Sequence, residues 1–150
     1  MLIFKEAQDS DMYTILDIRN ACREFFTHHT EYITTLEQEQ WWQAKDINGY
    51  VVWLVLHQDC DPSDCQETVA GFCMIRIIPD SGRYYGTLAL YPQFRGQGFG
   101  TAIYEFMADQ VDELWIDVRN DNAASIKAAE NAGFEMHYIG ANISEMVCRQ

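Results

Sequence analysis

Apolar residues along the chain follow two periods, and the order in which these alternate predicts the elements of the fold. Met12 and Ile15 begin a run of apolar residues at helical spacing. Asp9 or Ser10 can cap this first helix, which we expect to end near Phe26. Further helices are predicted at 36–45, 98–110 and 122–133. Short apolar runs predict strands at 2–7, 50–56, 68–78, 83–91, 113–118, 134–140 and 143–148. About seven strands alternating with about four helices predict a single α/β (α+β) domain over residues 1–150 with a mixed sheet.

The charge of the chain narrows the classes of partner. The 10 Lys and Arg residues against 23 Asp and Glu give a formal net charge of −13, whereas nucleic acids and anionic membranes bind basic surfaces. We therefore expect neither partner, and a cationic ligand such as an amine is favoured. No apolar run approaches the roughly 18 residues of a membrane helix. The start of the chain, "MLIFKEAQDSD", does not have the pattern of a signal peptide. A soluble, cytoplasmic protein is the expectation.

The five cysteines stand at irregular spacing, which is not typical of a secreted disulfide framework. Cys22 and Cys73 lie in apolar patterns and are predicted to be buried. Cys60 and Cys65 bracket the polar segment "CDPSDC", where a disulfide or metal clip is one alternative and an ordinary hairpin loop the other. Because these cysteines form no CxxC motif, we predict a loop over 57–66 and no metal site.

The segment "YPQFRGQGFG" (91–100) places a glycine at every second position from Gly96 to Gly100, between a strand and a helix. Exposed N–H groups and the positive end of the helix dipole meet at such a turn, which is typical of an anion-binding loop. Glycine permits positive φ there and has no side chain to block a phosphate. A Walker loop is excluded because no Lys-Ser/Thr pair follows. A Rossmann loop is disfavoured because the glycines run GxGxG late in the chain.

Two motifs carry a resemblance to a known family. Arg95–Gly100 matches the pattern [QR]-x-x-G-x-[GA], and the preceding "LYP" is similar to that family's apolar-x-Pro lead-in. Asn122 stands eleven residues before Gly133-Phe134, the spacing of the family's next motif. The order of elements agrees as well, so the whole chain resembles the GNAT superfamily of acyl-CoA N-acyltransferases. The resemblance implies a mixed, mostly antiparallel sheet with a V-shaped split between its fourth and fifth strands.

The resemblance further implies acetyl-CoA as the cofactor, bound in that split. The backbone of 88–90 would hold the pantetheine arm as an added strand would, and the N–H groups of 95–100 with Thr101 would hold the pyrophosphate. Asn122 would contact the pantetheine arm, with a plain helix cap as its alternative role, and Ser125 or Lys127 could reach the cofactor. The implied cofactor residues are Leu88, Ala89, Leu90, Arg95, Gly96, Gln97, Gly98, Phe99, Gly100, Thr101, Asn122 and Ser125.

The implied reaction is direct attack of a neutral amine on the thioester, which needs a base for the amine and an acid for the departing thiolate. The strand "LWIDVR" resembles the "L-x-L-E-V-R" strand of ribosomal-protein N-terminal acetyltransferases, which makes Asp117 the expected catalytic base. Many members carry the acid as a tyrosine seven residues after the asparagine, where this chain has Ala129. Tyr84, Tyr85 and Tyr138 are therefore the candidate donors, with water as the alternative.

The acceptor groove of the family lies between the first two helices, their loop and the last two strands. His28 and His29 could relay protons there, and Glu31 could attract a cationic amine. One of the two tryptophans at 41–42 is expected to border the groove, and we take Trp42 as that residue. We expect an N-acetyltransferase for the primary amine of a small molecule, an amino sugar or a peptide N-terminus. A catalytically inactive CoA-binding sensor or assembly module is the alternative.

The segment 19–42 is also loosely similar to the start of amino-sugar nucleotide N-acetyltransferases. Such an acceptor is anionic, which the net charge disfavours unless Arg19 and Arg23 form a local basic patch. The sequence leaves open the acceptor itself, an acyl donor longer than acetyl, and a homodimer formed through the C-terminal strands.

Overall fold

The computed structural model describes residues 1–28 and 30–150, in which strands and helices follow one another in the predicted order. The strands are β1 (Leu2–Glu6), β2 (Tyr50–Asp61), β3 (Asp64–Ile77), β4 (Tyr84–Leu90), β5 (Glu113–Arg119), β6 (Glu135–Ile139) and β7 (Ile143–Arg149). The helices are α1 (Met12–Cys22), α2 (Thr35–Ala44), α3 (Phe99–Asp109) and α4 (Ala123–Asn131). Short 3₁₀ turns occupy Asp9–Asp11, Arg23–Phe25 and Pro92–Phe94. None of the helices in the described residues is long and apolar enough to cross a membrane.

The seven strands form one sheet in the order β1-β2-β3-β4-β5-β7-β6. Neighbouring strands are antiparallel except β4 and β5, which are parallel. In the described chain this parallel pair is joined at two positions, Tyr84↔Leu114 and Tyr85↔Trp115. Later residues of β4 pair with β3 alone, and later residues of β5 pair with β7 alone. The predicted mixed, mostly antiparallel sheet with a split between the fourth and fifth strands is confirmed.

Helices cover both faces of the sheet, because successive strand residues point to opposite faces and both sets are apolar. One buried cluster packs α3 and α4 against the sheet and includes Ile103, Met107 and Ile116. The other packs α1 and α2 against the opposite face and includes Ile15 and Phe72. Burial of each such side chain contributes roughly 1.5–3 kcal/mol to stability. The split between β4 and β5 is therefore enclosed by helices on both faces.

The hairpin of β2 and β3 extends further than the sequence predicts. The predicted loop over 57–66 is wrong, because β2 continues to Asp61, β3 starts at Asp64, and only Pro62 and Ser63 separate them. Residues 59–68 are exposed, so this part of the hairpin is polar. The alternation of apolar and polar residues that predicts a half-buried strand is therefore absent from it.

Cys60 and Cys65 face each other across this hairpin and form a disulfide, with their Cα atoms 4.1 Å apart. The prediction of an ordinary loop at these cysteines is therefore wrong, because the hairpin register sets them directly opposite. Asp61 Oδ1 accepts hydrogen bonds from the N–H groups of Ser63 and Asp64 at 2.8 and 2.9 Å, which lowers the pKa of the Asp61 carboxyl. Cys22 and Cys73 are buried free thiols, as predicted.

Candidate active site

A cavity of about 950 Å³ lies at the split between β4 and β5 and is lined from both faces of the sheet. We call its wall on the side of α3 and α4 the glycine half: Leu88, Gly96, Gly98, Gly100, Thr101, Tyr104, Asn122, Ser125 and Lys127. We call its wall on the side of α1 and α2 the arginine half: Arg19, His28, Tyr50, Met74, Arg76, Tyr85, Thr87, Asp117 and Arg119. The two halves meet at β4, where Leu88 packs towards α3 and Ala89 packs towards α1.

The glycine half is built around backbone rather than side chains. Gly96 and Gly98 have positive φ values of 73° and 83°, and Gly98 is the N-cap of α3. A Cβ atom at either position would meet nothing within 4 Å and would project into open space. The first N–H groups of α3 have no acceptor within the helix, so an anion that approaches the open glycines can accept from them. This geometry fits the pyrophosphate loop that the sequence implies.

The third glycine serves helix packing instead. A Cβ atom at Gly100 would stand 3.4 Å from the Cβ of Ala128, an ordinary van der Waals distance, so Gly100 lies where α3 packs against α4. Gln97 and Phe99 are not part of the cavity wall. The Gln97 amide donates to the backbone oxygen of Gln93, and the Phe99 ring lies against His57.

The side chain of Arg95 connects the glycine loop to the end of α1. Its Nε donates to the backbone oxygen of Leu90 at 3.1 Å, and a terminal nitrogen lies 3.4 Å from the sulfur of Cys22. Its guanidinium stacks on the Phe25 ring, 4.3 Å from the centroid. Arg95 therefore lines the cavity while its hydrogen bonds hold the local backbone in place.

Two helices contribute polar groups at the centre of the glycine half. Asn122 caps α4, because its side-chain oxygen accepts from the N–H of Ser125 at 3.2 Å. The Ser125 hydroxyl in turn lies 2.7 Å from the hydroxyl of Tyr104 on α3. Burial raises the pKa of the Tyr104 phenol, although the bond to Ser125 opposes this shift. Tyr104 therefore keeps its proton near neutral pH.

Asp117 lies on β5 at the boundary of the arginine half. Its carboxylate is 2.9 Å from Nε2 of His28, whose side chain is 63% exposed, whereas the Asp117 side chain is 24% exposed. The pair therefore links a sheltered carboxylate to solvent. Arg119, two residues further along β5, forms an ion pair with Asp121 at 2.8 Å and donates to the backbone oxygen of Glu24.

The three candidate tyrosine donors lie in different places. The Tyr85 hydroxyl faces the arginine half and donates to Glu145 at 2.9 Å, and burial raises its pKa. Tyr84 is 37% exposed and Tyr138 is 61% exposed, and neither lines the cavity. Three tyrosines line the cavity in the described chain: Tyr50 on β2, Tyr85 on β4 and Tyr104 on α3.

The residues predicted for the acceptor side are only partly brought together. His28 lines the cavity, whereas Glu31 is exposed outside it, and His29 lies outside the described residues. Trp42 is only 6% exposed and donates its indole N–H to Asp9 at 2.9 Å, so it belongs to the core rather than to the cavity wall. Its neighbour Trp41 instead contacts the ring of Tyr50, which does line the cavity.

Tyr50, Arg76 and Tyr104 line the cavity and were missed by sequence reasoning, whereas Tyr85 was among the candidate donors. Tyr50, Arg76 and Tyr85 form a row across three strands, because Arg76 pairs in register with Tyr50 on β2 and with Tyr85 on β4. An arginine within the apolar strand 68–78 is a signal that could have pointed to Arg76. Tyr104 stands in an apolar helix, and nothing local to it predicts its contact with Ser125.

Comparison with known proteins places this arrangement among acetyltransferases. The model of the acetyltransferase (GNAT) family matches residues 12–134. A ribosomal protein bS18 alanine N-acetyltransferase of Escherichia coli K12 is 30% identical over 79 residues, which cover 49% of this chain and 53% of that protein. The chain therefore matches about half the length of such curated relatives.

Two solved structures share the fold over 99% of this chain. One is a spermidine N-acetyltransferase from Vibrio cholerae in complex with CoA and spermine (TM-score 0.79, 15% identity, 95% of that chain covered). The other is a phosphinothricin acetyltransferase from Sinorhizobium meliloti in complex with acetyl-CoA (TM-score 0.78, 16% identity, 88% covered). At these identities the likeness is one of fold, and it confirms the fold predicted from the sequence. That both were solved with CoA or acetyl-CoA agrees with the predicted cofactor.

Proposed function

The chain belongs to the acetyltransferase (GNAT) family, and from this premise we propose that it transfers the acetyl group of acetyl-CoA to a primary amine. The acceptor would be a small molecule, an amino sugar or a peptide N-terminus. The observation that carries the proposal is one cavity whose glycine half offers an open anion-binding loop and whose arginine half holds Asp117 against His28. A peptide amine stays among the acceptors because the Escherichia coli relative is a ribosomal protein alanine N-acetyltransferase.

The glycine half supplies the groups that would hold the cofactor. The N–H groups that follow Gly96 and Gly98 would bind its pyrophosphate. The free edge of β4 at 88–90 would bind the pantetheine arm as an added strand would. In the described residues the Asn122 amide nitrogen makes no hydrogen bond, so it is free to donate to that arm. When bound, acetyl-CoA would supply an activated acetyl group for the amine nitrogen, with its thiol as the leaving group.

Asp117 and His28 form the proposed route for the first proton. A protonated amine cannot attack, so one proton must leave the ammonium before the new bond forms. The Asp117 carboxylate accepts this proton, directly or through a water, and His28 Nε2 passes it to solvent. The ionised carboxylate also stabilises an ammonium group at the mouth of the cavity.

Tyr104 is the proposed holder of the second proton. Its hydroxyl lies in the glycine half and is oriented by the Ser125 hydroxyl at 2.7 Å. Because burial keeps the phenol protonated, Tyr104 Oη could donate its proton to the leaving sulfur and recover one from the amine nitrogen, which loses its second proton as the amide forms. Tyr85, whose hydroxyl is engaged by Glu145, is the second candidate for this role. Tyr104 would thus replace the tyrosine that is absent at Ala129.

Two measurements test this function. Calorimetry with acetyl-CoA should show stoichiometric binding, and a folded sample that fails to bind would overturn the proposal. A panel of primary amines, with detection of released thiol, should then show turnover that requires both the amine and acetyl-CoA. Binding without thiol release for any amine would instead support the CoA-binding sensor.

A further inference from the structure

Charged side chains are distributed unevenly between the cavity and the remaining surface. Of the ten Lys and Arg residues, five line the cavity, and these are Arg19, Arg76, Arg95, Arg119 and Lys127. Of the 23 Asp and Glu residues, Asp117 alone contributes to the wall in the described chain. A cleft lined by one sign of charge concentrates ligands of the opposite sign. The cavity of this acidic protein is therefore suited to an anion.

Among the described residues, four of these cations have no carboxylate within ion-pair distance, namely Arg19, Arg76, Arg95 and Lys127. In residues 1–28 and 30–150, ion pairs within 4.0 Å involve His28, Lys45, Arg119 and Arg149 as the cations. Arg19 and Arg76 are not among them, although both lie in the arginine half.

Arg76 points to a ligand most directly. Its guanidinium stacks on the Tyr50 ring at 5.0 Å from the centroid, and its Nε is buried with no hydrogen-bond partner among the described residues. Most buried N–H groups in proteins are paired, so an unpaired one in a cavity wall calls for an explanation. The planar guanidinium fork matches carboxylate and phosphate groups, which would accept from this unpaired nitrogen.

Arg19 lies on the same network of aromatic rings. Its guanidinium is 4.8 Å from the centroid of Trp41, and Trp41 contacts Tyr50 edge to face with centroids 5.3 Å apart. One terminal nitrogen donates to the side-chain oxygen of the fully buried Gln38 at 2.5 Å. Gln38 is neutral, so it orients Arg19 without compensating its charge. Burial lowers the pKa of Arg19, and the nearby Tyr50 and Glu37 partly oppose this shift.

The two arginines lie on the acceptor side of the sheet. Arg76 shares its face of β3 with Met74 and Phe72, which pack towards α1 and α2. The open glycine loop and the N-terminus of α4 are on the other side. The phosphates of the proposed cofactor therefore have their own binding groups, and Arg19 and Arg76 remain for a second ligand.

We propose that the acceptor is a small amine that also carries a carboxylate or phosphate group, which Arg19 and Arg76 bind while the amine lies at Asp117. The inference rests on the proposed acetyl transfer, because it names the class of amine that this transfer uses. It differs from the expectation, drawn from net charge, that a cationic ligand such as an amine is favoured.

Matched pairs of amines test the subsite. The first pair is β-alanine and β-alaninamide, and the second is O-phosphoethanolamine and ethanolamine, so the two arms distinguish carboxylate from phosphate. For at least one pair, wild-type kcat/KM should be about tenfold or more higher for the anionic member. Arg76→Gln should lower this value about tenfold or more, mainly through KM, and should change the uncharged member less than about threefold. Arg83→Gln is the matched control, because Arg83 also stacks on a ring, Trp115, but lies outside the cavity wall.

Other outcomes separate this inference from the proposed function. If both members of each pair have equal kcat/KM values in the wild type, the anion subsite is overturned while acetyl transfer stands. The same conclusion follows if Arg76→Gln lowers kcat/KM equally for both members. If acetyl-CoA does not bind or no amine is acetylated, calorimetry with β-alanine and O-phosphoethanolamine still tests whether the anion subsite exists. Binding of either probe by the wild type and not by the variant supports the subsite, and absence of binding overturns it. Arg19→Gln undergoes the same measurements, so the test does not depend on the folding of one variant.

Discussion

The glycine half and the arginine half of the cavity bind with different parts of the chain. The glycine half uses backbone: two glycines at positive φ and the first turn of α3 lie within a few consecutive residues. The arginine half uses side chains that come from different elements, with Arg19 on α1, Tyr50 on β2, Arg76 on β3 and Asp117 on β5.

The two halves should therefore differ in how well they tolerate substitutions. A backbone loop binds through groups that every residue has, so it depends on conformation and tolerates little change at Gly96 or Gly98. The arginine half binds through the identity of its side chains, so substitutions there can change the ligand while the fold is kept. Four variants, together with those at Arg19 and Arg76, test whether the two halves bind their ligands independently.

The largest effect is expected from Gly98→Val. A side chain there would project into the open space in front of α3, so affinity for acetyl-CoA should fall at least about a hundredfold, or roughly 2.7 kcal/mol. Gly82→Val is the matched control, because Gly82 also has positive φ, at 69°, with nothing within 4 Å of its Cβ, yet lies outside the cavity wall. Both variants should lose about 1–3 kcal/mol of stability from backbone strain. Equal cofactor affinities in the two variants would contradict the role of the glycine half.

Asp117→Asn should lower kcat about a hundredfold, because the amide cannot accept the ammonium proton. Cofactor affinity should stay within about threefold of the wild type, since Asp117 lies in the arginine half. The dependence of kcat on pH should also change. Asp121→Asn serves as control, because it removes a nearby carboxylate that lies outside the cavity wall, although its ion-pair partner Arg119 lines that wall. An unaltered pH profile in Asp117→Asn would remove this residue as the base.

Tyr104→Phe should lower kcat about tenfold and leave KM for the amine nearly unchanged, since the hydroxyl lies in the glycine half. Tyr85→Phe is the comparison from the arginine half, and a larger loss of kcat there would assign the proton donor to Tyr85 instead.

Tyr104 also has a signature in stability. Burial raises the pKa of its phenol above the ordinary value of 10.0 in the folded state. The folded state therefore retains this proton more tightly, and the associated stability is present below pH about 10 and is lost as pH rises through the higher folded value. Urea unfolding should show a smaller decline of the free energy of unfolding above pH 10 in Tyr104→Phe than in the wild type. Identical declines would show that this phenol is not shielded from solvent.

The smallest effect is expected from replacing Cys60 and Cys65 by serine. The disulfide closes a short loop in an exposed hairpin, so its loss should cost at most about 2 kcal/mol of stability. Neither cysteine lines the cavity, and both acetyl-CoA affinity and the KM for the amine should stay unchanged. A change in either would mean that the hairpin communicates with one half of the cavity.

Apart from Tyr104, the glycine half could be predicted from the sequence because its backbone conformation is encoded locally. Gly96 and Gly98 have positive φ, which strongly favours glycine, and Asn122 is one of the few residue types that commonly cap a helix. The order of the strands and helices was predictable for the same reason, since each has its own period.

The arginine half depends on information that local patterns do not carry. The row of Tyr50, Arg76 and Tyr85 exists only in one register of three strands, and a slip of one residue would turn Arg76 to the other face. The two adjacent tryptophans at 41–42 raise a similar difficulty, because the sequence does not show which side of the helix faces the core. We predicted Trp42 to border the groove, and Trp42 is in the core. Predicting the pairing of Cys60 with Cys65 likewise requires knowing how far the two strands of the hairpin extend.

The two-residue junction between β4 and β5 leaves the sheet with two internal edges. Strands β1 to β4 form one part of the sheet, and strands β5 to β7 form the other. In the described chain, the β4–β5 pairing that joins these two parts involves only Tyr84 and Tyr85 on β4. Amide hydrogens along such edges exchange with solvent through local fluctuations, without unfolding of the domain. A ligand that lay between the edges as an added strand would slow that exchange on both sides at once. The rigidity of the sheet between β4 and β5 would then depend on the bound ligand as well as on the protein's own hydrogen bonds.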